Sequence, residues 1–300
     1  MSSTIRGVVP PLAIPLKDGE LDVPSLERHI NRMIDAGLDG LFVSGSTGEV
    51  AFSTAERRAQ IQREAVRIVD GRIPLLVGVI DTETERVIEN IKAVEDIGGA
   101  IGVVATAPFY ALGGETEVER HFRLLKENTS LELWAYDIPV CVHTKLSPDL
   151  LMRLGRDGVI DGVKDSSGDD VAFRWLCRAN EAAGHPLQLL TGHEVVVGLT
   201  ESAAKREGRD VLVAKVPALM SGRFIAENGF KAPGEAKILV DPATHQVLGI
   251  HVLGAYAAEM IWGAQAVLEM ELTVEDLRQV VFPHPTVSEV IREAAWAVTL

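Results

Sequence analysis

Cysteine is nearly absent: two in 300 residues, Cys141 and Cys177. Neither belongs to a CxxC or a zinc-type spacing, so a disulfide framework and a cysteine-built metal site are both excluded, and two reduced thiols are expected. Long apolar runs are also missing. No stretch reaches about 18 apolar residues without a charge, and the opening MSSTIRGVVPP has no apolar signal core. A membrane span is therefore not expected, and the chain reads as soluble and cytoplasmic. Positive charge is scarce, with 29 Lys and Arg against 43 Asp and Glu, a net charge of −14. With no basic run to oppose that field, nucleic acid and anionic membrane surfaces are poor partners. A small anion held by a local site stays compatible with it. Finally, no strand-like run leads into GxGxxG or GxxxxGK[ST], the glycine-rich loops that cradle nucleotide phosphates.

Apolar residues make up 47% of the chain, enough to bury one large barrel or two ordinary domains. Over the first two thirds, a short apolar run and an amphipathic stretch alternate. The runs are 7–15 (GVVPPLAIP), 40–45, 74–80, 101–107, 131–138, 160–167 and 186–193. They are apolar on both faces and rich in β-branched residues, as strands of a buried parallel sheet are. Between them Leu26, Ile30, Met33 and Ile34 share one helical face, as do Val87, Ile91 and Val94. Ser53 and Glu56 have capping-box spacing, and Gly37, Gly98 and Gly99 stand where helices end. The predicted fold class is α/β: an incomplete (β/α)8 TIM barrel of seven strand-helix units over 1–194, followed by an α+β domain over 197–300. A doubly wound sheet is the alternative, and the missing nucleotide motifs disfavour it.

A TIM barrel carries its chemistry at the C-terminal strand ends, and unusual residues gather there. After the second run comes Ser44-Gly45-Ser46-Thr47-Gly48-Glu49. Its hydroxyls and backbone amides suit a small carboxylate, and an ordinary Gly/Ser turn reads the same way. Tyr110 closes Ala107-Pro108-Phe109-Tyr110, and Tyr136 opens Tyr136-Asp137-Ile138-Pro139. Either tyrosine could relay protons or simply pack with its hydroxyl in water. Lys164, in Gly162-Val163-Lys164-Asp165-Ser166-Ser167-Gly168, demands more explanation, because an ammonium in an apolar strand is costly without a partner. Asp165 is the obvious counter-ion, yet neighbours along a strand point to opposite faces. Desolvation favours the neutral amine, the form that attacks a carbonyl.

Together the GSTGE turn, PFY, YDIP, GVKDSSG and LLTGHE, in this order over about 190 residues, resemble the dihydrodipicolinate synthase / N-acetylneuraminate lyase family. The resemblance implies that Lys164 forms an imine with a 2-keto acid such as pyruvate and that Tyr136 is the general acid/base. It further implies that Ser46 and Thr47 bind the carboxylate, and that Tyr110 extends the proton relay, often into a neighbouring subunit. Lysine-pathway synthases of the family carry an arginine two residues after the proline of YxxP. Here that residue is Cys141, which points to an aldolase or lyase rather than the synthase. No metal or organic cofactor is implied, since the lysine is itself the electron sink.

From residue 197 the pattern changes. Asp210–Val216 reads as a strand, Ala236–Val240 and Val247–Val252 as a hairpin about Asp241-Pro242-Ala243-Thr244, and 255–270, 273–280 and 286–297 as helices. VGLTE (197–201), KILVDPATHQVLGIHVLG (237–254) and HPTVSE (284–289) resemble the C-terminal dimerisation domain of dihydrolipoamide dehydrogenase and related flavoprotein disulfide reductases. By that resemblance His284 is a base and Glu289 its orienting acid. Thr286 and Glu289 also fit a capping box. The redox cysteine pair and both nucleotide motifs of the reductases are absent, so FAD and NAD belong to a part of that family not present here and the pair reads as vestigial. Two families thus join near 195–198, and the barrel lacks its eighth strand. Either Asp210–Val216 fills the gap or two sheet edges stay open. Three functions follow: a class I aldolase or lyase acting on a small 2-keto acid, a dimerisation module that pairs with itself, making the chain a homo-oligomer, or with a true dihydrolipoamide dehydrogenase-like reductase subunit, or an inactive hybrid of the two families.

Overall fold

The computed structural model describes residues 5–192 and 196–300, and the chain divides into two compact units, Met1–Gly192 and His193–Leu300. His193, Glu194 and Val195, which end the LLTGHE motif and begin the join, lie outside the described residues.

The first unit opens with a two-residue antiparallel ladder, β1 (Leu16–Lys17) and β2 (Glu20–Leu21). Six parallel strands follow: β3 (Leu41–Val43), β4 (Leu75–Gly78), β5 (Gly102–Thr106), β6 (Glu132–Asp137), β7 (Gly162–Asp165) and β8 (Gln188–Thr191). They lie side by side in chain order, with helices Ala55–Val69, Thr84–Ile97, Glu115–Glu127, Pro148–Arg156 and Asp170–Ala182 in the crossovers. The result is a curled half-barrel with helices outside it. The expected first strand, 7–15, is a correction: it makes only an isolated parallel bridge, Pro11 to Phe42. Pro10 and Pro11 have no N–H to give to a ladder, so the segment follows β3 through Leu12 N–H to Phe42 O and Phe42 N–H to Pro10 O.

The pleat sorts the strand residues into two cores. Leu41, Val43, Leu75, Val77, Val103, Ala105, Leu133, Ala135 and Val163 pack against the helices. The residues between them, Phe42, Leu76, Val104, Trp134 and Tyr136, form a separate cluster on the concave side, as a period of two requires. Trp134 fills that side because Gly162 beside it has no side chain: a Cβ there would stand 2.5 Å from the indole ring. Each fully buried side chain contributes roughly 1.5–3 kcal/mol, so this lining outweighs the cost of holding one lysine among it.

The helices follow their sequence signals closely. Asp22 caps Val23–Asp35, accepting from Ser25 N–H, and Leu26 and Ile30 are buried on its inner face. Val87, Ile91 and Val94 do the same on Thr84–Ile97, which ends at Gly98 with φ of +73°. Ala55–Val69 starts one residue later than the Ser53–Glu56 spacing suggests, capped by Thr54 accepting from Arg57 N–H.

The second unit is an antiparallel sheet of β9 (Val196–Gly198), β10 (Leu212–Pro217), β11 (Glu235–Val240) and β12 (Val247–Leu253), in the order β10-β11-β12-β9. Its core joins Ala214, Val216, Ile238, Val240, Ile250 and Val252 to residues of the helices Ala257–Glu269, Val274–Gln279 and Glu289–Ala297. The strand expected at 210–216 therefore does not complete the barrel. It is β10, paired antiparallel with β11 from Leu212↔Val240 to Pro217↔Glu235. Its sequence explains the choice: Ala214 and Val216 are buried while Val213 and Lys215 are exposed, a one-sided pattern unsuited to a barrel strand covered on both faces.

His121, on Glu115–Glu127, is 2% exposed, and burial pulls its imidazole from 6.5 down to about 4. The unfolded chain therefore binds a proton that the folded chain refuses between these two values. Stability should fall as pH drops from about 6.5 towards 4, by on the order of 3 kcal/mol. Urea titrations across that range on the wild type and His121→Asn check this: the variant should lose most of the slope, and equal slopes would remove His121 as its source.

Candidate active site

Tyr136 and Lys164 occupy the same register position on neighbouring strands β6 and β7, near their C-terminal ends, in a row that runs Thr106, Tyr136, Lys164, Leu190. They therefore point to the same side. The Lys164 ammonium stands 3.9 Å from the Tyr136 ring centroid and 5.7 Å from that of Phe42. The two rings meet edge to face at 5.9 Å. Such contacts stabilise a cation by about 0.5–2 kcal/mol. Lys164 Nζ also donates to Ser166 Oγ at 2.9 Å. Among the described residues, no carboxylate lies within 4.0 Å of that ammonium.

Asp165 faces the other way, as the pleat dictates. It accepts from Ser167 N–H at 3.0 Å and from the Ser167 hydroxyl, and its carboxylate lies 3.9 Å from Lys145 Nζ. Asp137, level with it on β6, is fully buried, pairs with Lys145 and accepts from Leu146 N–H at 3.1 Å. Burial pushes its carboxyl above the ordinary range despite the pull of Lys145. Burial and then Asp165 also raise the Cys177 thiol, which makes it a poor nucleophile.

Among the described residues, none of the other expected residues makes a hydrogen bond or ring contact with this pair. Ser46 and Thr47 are exposed on the turn after β3, and their hydroxyls form no hydrogen bond among the described residues. The turn itself is tightly built. Ser44 has φ of +57°, and a Cβ on Gly78 would meet the Ser44 carbonyl oxygen at 2.0 Å. Tyr110 is 95% exposed, on the loop after β5, with φ of +79°. Sequence reasoning missed Ser166 as the acceptor for Lys164, and Lys145 as the partner of two buried aspartates. The signal was present, since Asp137 and Asp165 each close an apolar strand and neither could be left unpaired. Among the described residues, no group of three or more His, Cys, Asp or Glu is placed to hold a metal ion, and no helix is long and apolar enough to cross a membrane.

A family model described as the dihydrodipicolinate synthetase family matches residues 4–203. The chain belongs to this family. A second model, the dimerisation domain of pyridine nucleotide-disulphide oxidoreductases, matches residues 191–295. Among similar proteins, 4-hydroxy-tetrahydrodipicolinate synthase of Thermotoga neapolitana is 31% identical over 165 residues, which is 55% of this chain and 56% of the relative. The solved structure of YagE from Escherichia coli K12, in complex with pyruvate, is 32% identical with a TM-score of 0.59, covering 64% of each chain. Dihydrodipicolinate synthase of Acinetobacter baumannii, also complexed with pyruvate, is 29% identical with a TM-score of 0.60, covering 63% of this chain and 64% of that one. The chain thus spans less than two thirds of the length of these relatives.

In the second unit, His284 Nδ1 lies 3.0 Å from Glu289 Oε1. The imidazole is 76% exposed and the carboxylate side chain 5%. Glu289 Oε2 also accepts from Thr286 N–H at 3.1 Å, and Arg292 stands 3.3 Å away. The hydrogen bonds from His284 and Thr286 hold the Glu289 carboxyl below its ordinary range. Only half of the expected capping box forms, because Thr286 Oγ1 donates to Pro283 O instead of capping the helix. Glu289 therefore braces the turn before the last helix. Glu289→Ala should destabilise the second unit by about 2 kcal/mol, the order for losing hydrogen bonds to a charged group, and His284→Ala by under about 0.5 kcal/mol, as an exposed ring should. Guanidinium melts of both variants check this ranking, and equal losses would contradict it.

Proposed function

We propose that the first unit is a Schiff-base lyase or aldolase acting on a pyruvate-type 2-keto acid. One observation carries the reading: an ammonium near the end of an apolar strand, placed against a tyrosine ring and a serine hydroxyl, with no carboxylate of the described residues beside it. The neutral Lys164 amine attacks the keto carbon, and the carbinolamine then loses its oxygen as water to leave a protonated imine. That imine draws electrons from the adjacent carbon, so a carbon–carbon bond there can break or form through the enamine. Hydrolysis finally returns the free lysine. In this reading Tyr136, whose ring lies against the amine, passes protons at the carbinolamine oxygen and the enamine carbon. Ser46 and Thr47 hold the substrate carboxylate, and Tyr110 extends the relay. The two pyruvate-bound relatives support the substrate class. Cys141, exposed where a synthase has arginine, favours an aldolase or lyase over the synthase.

Borohydride reduction in the presence of pyruvate, followed by peptide mass spectrometry, tests the assignment. A pyruvyl adduct confined to Lys164 and lost in Lys164→Ala is the expected result. A cooperatively melting protein that yields no adduct would refute it, and would show that six strands do not build a working imine site.

A second reading concerns the second unit alone, as a module through which two copies associate. Trp262 (74% exposed) and Val281 (89% exposed) border an apolar groove of about 740 Å³ lined also by Met260, Val267, Phe282 and Val287. Exposed apolar surface of this kind marks association sites, and the matching family model is that of a dimerisation domain. Light scattering should give twice the chain mass for the wild type and a monomer for Val281→Asp. A wild-type monomer at high concentration would remove this reading.

A further inference from the structure

Asp137 and Asp165 each follow a site residue by one position, on adjacent strands and in register. The pleat turns both to the helix-facing side, where they are 0% and 3% exposed. Two ionised carboxylates so placed repel each other and drive the strand ends apart, and taking either out of water adds to that cost. Lys145 is the group that answers both. Its ammonium pairs with Asp137, stands 3.9 Å from Asp165 and donates to Leu146 O at 3.1 Å. Leu146 N–H returns a hydrogen bond to Asp137.

A continuous path runs from this cluster to the site. The backbone oxygen of Asp137 accepts from Ser166 N–H at 2.8 Å, and Ser166 Oγ is the acceptor for Lys164 Nζ. Gly192 leaves room for that hydroxyl, since a Cβ there would meet Ser166 Oγ at 2.5 Å. We propose that Lys145 is a positioning residue, a charge clamp across the ends of β6 and β7 that fixes Ser166 and through it holds the Lys164 amine against Tyr136. Its consequence for catalysis rests on the imine reading; the clamp itself does not.

Two labels on the full chain separate these layers. Pyruvate with borohydride reports imine formation, while formaldehyde with cyanoborohydride methylates the Lys164 amine whatever the site does. Lys145→Met should slow pyruvate trapping by about tenfold to a hundredfold, the upper figure being the loss that a misplacement of about 1 Å brings, and should shift the Lys164 methylation rate away from wild type. Lys145→Arg, which keeps the charge, should restore both. The double variant D137N/K145M should restore them as well, because removing one carboxylate removes the need for the clamp, whereas a bracing role would leave it as impaired as K145M. If K145M alone does not fold, recovery of a cooperative melt in D137N/K145M is the same positive result. Wild-type methylation in K145M, or no recovery in the double variant, would overturn the clamp. Should wild type itself fail to trap pyruvate, the imine reading falls and the methylation series still decides the clamp.

Discussion

The pleat of a parallel sheet covered on both sides sends successive residues to opposite faces, and most of this molecule's site follows from that one constraint. At the ends of β6 and β7 it separates two kinds of chemistry by a single residue. Tyr136 and Lys164 turn to the concave side among aromatic rings. Asp137 and Asp165 turn to the helices, where each must find a partner. A slip of one residue in either strand would bury the lysine against the helices and present carboxylates to the substrate side. The apolar lining of both faces makes such a slip expensive, so the packing that folds the unit also orients its nucleophile.

The sequence made the alternating architecture legible because each strand is short, apolar on both faces and bounded by turn residues. It made the Lys164–Tyr136 pairing legible only through their common strand ends and the family resemblance, since register between strands is not written in either one. What it hid has specific causes. Residues 7–15 are as apolar as a strand, yet Pro10 and Pro11 offer no donors for a ladder. The strand near 210–216 could be seen, but its sheet could not. The decisive clue was its one-sided burial, which fits an antiparallel sheet with a single covered face. The need of the two aspartates for a partner was legible, but not that the partner is Lys145, which acts across a loop on residues that the chain places 8 and 20 positions away.

The two units solve their edges differently. In the second, β9 closes one side of an antiparallel sheet by pairing with β12 through Val197↔Ile250 and its neighbours, using residues at the very join of the two families. In the first, β3 is shielded by the proline-bearing segment that runs along it, an arrangement suited to an edge because proline offers no further donor.

Gly162 and Trp134 share one volume on the concave side of the half-barrel. They are 28 positions apart in the chain, yet neither can change size unless the other answers. A smaller residue at 134 would leave a void, and any side chain at 162 would need that void. Across a lineage the two sites should therefore drift as a pair. A designer reshaping the interior for a bulkier substrate would have to vary them in the same library, since each one sampled singly would find only losses.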